Sequence, residues 1–206
     1  MSKAATTKEH IIQQAAIVFN QQGYAGTSIS DIMGATGLKK GGIYNHFNSK
    51  DELALAAFDF SMNLIVERYR QALRGKRHAI TRLKAIIETF CSMIDEPPLK
   101  GGCPLMNTAV ESDDTHIGLR DRTRQAMDSW RGMIRKIINL GIKHHEINAN
   151  TNADRITSVV ISTLEGALMM SQLYDDKTHL DWAKQHLDQY LKTIQLTPNQ
   201  KKHLDS

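Results

Sequence analysis

Three helix-start signatures crowd the first quarter of this chain: Thr6-Thr7-Lys8-Glu9, Ser28-Ile29-Ser30-Asp31 and Ser49-Lys50-Asp51-Glu52. Each sets a hydroxyl three residues ahead of a carboxylate, so that the two can satisfy each other's backbone N–H groups at a helix N-terminus. Starts this closely spaced leave room only for short helices packed on one another. Behind the first, Ile11, Ile12, Ala15, Ala16, Val18 and Phe19 form a stripe at helical period, and Gly23 suits the left-handed position that closes a helix. From Ser49 a longer helix is expected, apolar along Leu53, Ala57, Phe58, Met62, Ile65 and Tyr69 as far as Gly75.

Helical spacing continues through Ile80–Ile94, and Pro97-Pro98 with Gly101-Gly102 mark a loop. A short helix is expected from Pro104, a long one over about 118–145, and a final pair over 153–174 and 178–194. No segment alternates with period two, so the expected fold is all-α. The expected divisions are 1–48, a linking helix 49–75, a helical domain 76–196 and a polar tail 197–206.

With 206 residues, 41% hydrophobic and 23% charged, the chain has ordinary soluble composition and can bury a real core. The net charge of +4 suits a nucleic-acid binder without singling one out. Residues 1–65 balance five cations (Lys3, Lys8, Lys39, Lys40, Lys50) against five anions (Glu9, Asp31, Asp51, Glu52, Asp59), so any DNA contact must rest on local clustering. Met1–His10 is polar and does not resemble a signal peptide. The apolar run 156–173 is flanked by Asp154 and Arg155 and interrupted by Glu165, which argues against a membrane span. Two cysteines, Cys91 and Cys103, make no disulfide framework, and a cytoplasmic location is expected.

The strongest local pattern runs from Ile29 to Phe47. Ile32 and Met33 face inward on a short helix reaching Thr36, Gly37 supplies a tight turn, and Ile43 and Phe47 anchor the following helix. Lys39, Lys40, Gly41, Gly42, Tyr44, Asn45 and His46 are then left facing outward. Two cations, a bidentate amide and polar aromatics suit phosphates and base edges in a major groove. Two glycines cost a helix about 1 kcal/mol each relative to alanine, and close backbone approach to DNA would explain them. A plain helical hairpin is the alternative.

Ser30-Asp31-Ile32-Met33 through Gly37-Leu38, then Lys39-Lys40-Gly41-Gly42-Ile43-Tyr44-Asn45-His46-Phe47 and Ser49-Lys50-Asp51-Glu52-Leu53, resembles the DNA-binding domain of TetR-family regulators. Met33 and Thr36 stand where alanines are common, and Gly42 where Ser or Thr is frequent; the first two should alter packing only. The resemblance implies three N-terminal helices for DNA, a linking helix, and a helical domain that binds a small-molecule effector. It also implies a homodimer made by the last two helices. The DNA contacts it implies are Ser28, Lys39, Lys40, Gly41, Gly42, Tyr44, Asn45, His46 and Lys50. A repressor released from a palindromic operator is the expected function, with a sequence-indifferent architectural DNA binder as the alternative.

Nine methionines suit an adaptable apolar pocket or, residue by residue, ordinary core; the pocket is what the resemblance implies, with Met62, Phe90, Met93, Cys103, Met106, Met127 and Trp130 as its expected residues. Cys103, just before Pro104, would sit at a helix N-terminus, where a thiolate is favoured and sensing of electrophiles or oxidants becomes an option. The apolar face of the last two helices makes Val160, Thr163, Leu164, Ala167, Leu187, Tyr190 and Leu191 the expected dimer interface, with Ser158, Ser162 and Gly166 a small-residue stripe beside it. His144-His145-Glu146 and Asp113-Asp114-Thr115-His116 lack the spacing of a zinc protease helix or a calcium loop. No enzyme activity, metal or cofactor is expected.

Overall fold

The computed structural model describes residues 3–112 and 116–196; the polar tail 197–206 and Asp113-Asp114-Thr115 lie outside the described residues. The helices are α1 (Lys3–Gly26), α2 (Ile29–Thr36), α3 (Lys40–Tyr44), α4 (Lys50–Leu73), α5 (Ala79–Ser92), α6 (Pro104–Ser112), α7 (Ile117–Lys143), α8 (Ala153–Tyr174) and α9 (Thr178–Ile194). Among the described residues the only β pairing is an isolated bridge between Ile147 and Gln195. The fold is all-α.

Two of the three expected helix starts are present. Ser28 caps α2 in full: its N–H donates to Asp31 Oδ2 at 2.7 Å, and Asp31 N–H donates to Ser28 Oγ at 3.2 Å. Ser49 accepts from the Glu52 N–H at 3.0 Å, but the Glu52 carboxylate turns to Asn48, taking its N–H at 2.8 Å and its amide at 2.9 Å. Thr6 lies inside α1, which already runs from Lys3. Helix propagation past a polar residue costs little once a nucleus exists, so the cap signal marked a position inside the first helix.

The chain folds into two compact units: residues through Glu67 with Pro97–Met127, and Arg68–Glu96 with the residues from Asp128 onward. This division cuts across the order of the chain, because α6 and the start of α7 pack with the N-terminal helices. In the first unit Ile11, Ala15, Ala16, Ile32, Ile43, Phe47, Leu53, Ala57 and Leu99 form one buried cluster. Each large member contributes roughly 1.5–3 kcal/mol by leaving water.

In the second unit the core takes Ile80, Leu83, Ile86 and Ile87 from α5, Ile134, Ile137 and Ile138 from α7, and the inner faces of α8 and α9. Eight residues of α8 are buried there: Ile156, Thr157, Val160, Ile161, Leu164, Ala167, Leu168 and Ser171. By length and composition α8 would pass for a membrane span, yet this face belongs to the unit's own core.

That packing bears directly on the expected dimer interface. Val160, Leu164, Ala167, Leu187 and Leu191 are buried within one chain, and Thr163 and Tyr190 are half-buried. Atoms already covered by their own chain have no surface to offer a partner. The open face of α8 is the neighbouring stripe, Ser158, Ser162 and Gly166, extended by Met169, Met170 and Leu173; on α9 the large exposed side chain is Trp182.

Candidate nucleic-acid interface

The turn between α2 and α3 is held by backbone geometry and one hydroxyl. Gly37 adopts φ 70°, ψ 11°, a left-handed conformation that a Cβ would strain, and its N–H donates to the Met33 carbonyl at 2.9 Å. Thr36 Oγ1 donates to the Ile32 carbonyl at 2.7 Å and accepts from the Leu38 N–H at 3.3 Å. The threonine therefore ties the turn together, a larger part than the packing role expected of it. The Asp31 carboxyl is held below its usual range by the Ser28 hydrogen bonds, which keeps the α2 cap charged.

α3 is five residues long and fastened inward by Ile43 and Phe47, 1% and 2% exposed. Lys39, Lys40, Gly41, Tyr44 and Asn45 are exposed. Gly42 and His46 are only half-buried, so the outward list needs amending. A Cβ on Gly42 would meet the Leu38 side chain at 3.5 Å, whereas one on Gly41 would point into open space. Gly41 is therefore the glycine that lets another molecule approach the backbone, and Gly42 turns toward the packing of Leu38. Lys40 Nζ lies 5.7 Å from the centroid of the Tyr44 ring, which steadies both against the surface.

Two expected DNA contacts have partners of their own. The Ser28 hydroxyl donates to Asp31 Oδ2 at 2.6 Å. Lys50, expected as a backbone contact, donates from Nζ to the Tyr24 carbonyl at 2.5 Å and lies 4.2 Å from that ring's centroid. It braces α4 against the end of α1. Tyr24 was not singled out in the sequence: a lone aromatic after Gly23 carries no motif. Its hydroxyl donates to Asp51, its ring meets His116 edge-on at 4.7 Å, and burial together with Asp51 pushes its phenol up to about 12.

The expected effector-pocket residues are divided between the two units. Met62, Cys103, Met106 and Met127 belong to the first unit, and Phe90, Met93 and Trp130 to the second. A shallow cleft in the first unit is lined instead by Ala16, Phe19, Phe58, Ser61, Thr108 and Glu111, among others, and by none of those four. In the second unit the Trp130 ring stacks on Phe90 at 5.8 Å and on Tyr69 at 6.2 Å. Its buried indole N–H has no hydrogen-bond partner among the described residues.

Cys103 is half-buried ahead of α6. Gly101, two residues before it, serves packing, since a Cβ there would lie 2.7 Å from the Asn20 carbonyl oxygen. Burial pushes the Cys91 thiol, in the last turn of α5 and not in mid-helix as expected, up to about 11. Glu146, one of the residues weighed for metal or acid–base chemistry, accepts the Ala79 N–H at 2.6 Å. Among the described residues no three His, Cys, Asp or Glu side chains converge as metal ligands.

Comparison with known proteins agrees with this geometry. Residues 11–57 match the family described as bacterial regulatory proteins, tetR family, and residues 79–187 match a tetracyclin repressor-like C-terminal domain. A TetR transcriptional regulator from Chloroflexus aurantiacus is 46% identical, with 96% of this chain and all of that one covered and a TM-score of 0.93. The HTH-type transcriptional regulator YxaF of Bacillus subtilis is 26% identical over 87% of this chain and 92% of its own length. The HTH-type transcriptional repressor DhaR of a Mycobacterium strain is 24% identical over 84% and 86% respectively. With both halves matched and the turn, anchors and exposed face of α2–α3 in place, the chain belongs to the TetR family and is a DNA-binding transcriptional regulator.

Proposed function

We propose that the protein is a cytoplasmic repressor that binds a two-fold-symmetric operator as a homodimer and releases it on binding a small-molecule effector. The observation that carries the DNA reading is the outward face of α3, where Lys39, Lys40, Tyr44 and Asn45 surround a glycine backbone with nothing in front of it. Asn45 can pair bidentately with adenine, and the lysines with guanine or phosphate. Ser28, Gly41, Gly42 and His46 are further contacts, with Gly42 and His46 at the margin, and Lys50 is left out as a brace. Residues 1–48 read DNA, 49–75 link, and 76–196 bind the effector and the partner. That a similar protein is named a repressor supports the direction of regulation.

The homodimer uses the open stripe of α8, from Ser162 and Gly166 to Met169 and Leu173, with Trp182 of α9. Met169 is 52%, Leu173 72% and Trp182 59% exposed, an apolar load that a second copy would cover. For the effector, the stacked Phe90 and Trp130 offer a flat apolar wall. The indole N–H beside it leaves a donor whose burial without a partner costs about 1–3 kcal/mol, which a ligand acceptor would recover. No catalytic role is proposed for any residue. Selection of genomic duplex fragments on the purified protein, followed by sequencing, tests the function: one recurring inverted repeat supports it, and enrichment of no common sequence overturns it.

A further inference from the structure

α6 is fastened to the end of α1 by polar contacts that the outward face of α3 does not use. Glu111, in the last turn of α6, accepts the backbone N–H of Tyr24 and of Ala25, each at 2.7 Å. One turn earlier, Asn107 donates to the Asn20 carbonyl and to Asn20 Oδ1, both at 3.2 Å, and to the Gly101 carbonyl at 2.7 Å. Asn20 in turn donates to the Lys100 carbonyl at 2.8 Å and the Gly102 carbonyl at 3.1 Å.

The backbone of α1 is built to receive this carboxylate. Gly23 breaks the helix with φ 76°, which leaves the next two N–H groups without helical acceptors and aimed at Glu111. Any Cβ at position 23 would lie 2.7–2.8 Å from the Glu111 carboxylate oxygens. Only Gly26 separates the residues so held from Thr27 and the Ser28 cap of α2. Tyr24 also receives Lys50 on its carbonyl and gives its hydroxyl to Asp51, so the first turn of α4 is tied to the same point.

We propose that Glu111 is a positioning residue for DNA binding: its carboxylate sets the path of the α1–α2 turn, and through it the aim of α2 and α3, without touching DNA. This rests on the reading of α2–α3 as the DNA reader. A base-reading constellation must be held within about 0.5 Å to function, and carboxylate bonds to two N–H groups are strong enough to hold one. Of the links between α6 and α1, Glu111 is the one that meets the backbone nearest the α1–α2 turn.

Glu111→Gln keeps the shape but leaves only one oxygen acceptor, and Glu111→Asp keeps the charge but falls a methylene short. The assay uses the full-length chain and a duplex recovered by selection on the wild-type protein, with a random-sequence duplex alongside. Each variant is measured while folded by circular dichroism; if one does not fold, the other carries the test. The expected result is about a tenfold loss of affinity for the selected duplex, a smaller loss for the random one, and an unchanged salt slope, because no phosphate contact is removed. A folded variant with the wild-type ratio of selected to random affinity overturns the inference alone. So does one that binds both duplexes more tightly with a steeper salt slope, which is the mark of a removed negative charge. A wild-type chain that does not distinguish the two duplexes overturns the DNA reading and the inference with it.

Discussion

The α2–α3 segment and the α8–α9 pair each leave a surface uncovered, and the two surfaces differ in kind. α2 and α3 bury Ile32, Thr36 and Ile43 and show lysines, an amide and a bare glycine backbone. α8 and α9 bury much more, yet still show Met169, Met170, Leu173 and Trp182. A polar, cationic remainder is stable in water and gains from phosphates. An apolar remainder gains from another apolar face. The first region is a small device aimed at a charged ligand; the second is a large core with one face left over.

The largest effect that could break this contrast lies in α8. Leu164 is fully buried and Gly166, two residues on, faces open space. Leu164→Glu should unfold the second unit, since a buried unpaired carboxylate costs several kcal/mol, comparable to whole-domain stability. Gly166→Glu should leave each chain folded and halve the mass seen in sedimentation. If Gly166→Glu stays dimeric, the open stripe is not the interface.

Much of this architecture was legible in the sequence, because helical period and turn glycines act over a few residues. The ends of α8 and α9, the start of α6 at Pro104 and the Gly37 turn follow from such local rules. Which face of α8 stays open did not, for a physical reason: periodicity reports that a stripe will be buried, not whether its own chain or another buries it. Val160, Leu164 and Leu187 are the more apolar stripe and went to the chain's own core. The links through Tyr24 and Glu111 were illegible because their partners lie 87 and 86 positions apart in the chain. The exposure of Lys39, Lys40, Gly41, Tyr44 and Asn45 was readable from the spacing of Ile43 and Phe47 alone.

A smaller effect separates Lys50 from the lysines of α3. Lys50→Ala removes the bond to the Tyr24 carbonyl and should lower stability by about 1 kcal/mol, with little change in the salt dependence of DNA binding. Lys39→Ala should do the reverse, flattening that slope by about 0.9 if it meets a phosphate. Thermal melts and salt titrations of both variants would sharpen the line between brace and contact. A flattened slope for Lys50→Ala would return it to the DNA surface.

The smallest effect concerns pH. Burial raises the Cys91 thiol to about 11 from an ordinary value of 9.0, so the folded state holds this proton more tightly than the unfolded state does. Its contribution to stability is complete below about pH 9 and is lost as the pH climbs toward about 11. Cys91→Ser should flatten the fall in stability over that window. Brief alkylation of the native protein at neutral pH should leave Cys91 unmodified, as peptide mass spectrometry would show.

The central claim is that the outward face of α3 reads base sequence, and a ratio of affinities tests it most directly. Titration of the wild-type chain and of Asn45→Ala with the selected duplex and a random one, at a single salt concentration, yields that ratio for each. The expected wild-type ratio is about 10³ or more. A fall of about tenfold in the ratio is expected for Asn45→Ala, with affinity for the random duplex nearly unchanged. Equal affinity of the wild-type chain for both duplexes would contradict the claim and mark an architectural binder indifferent to sequence.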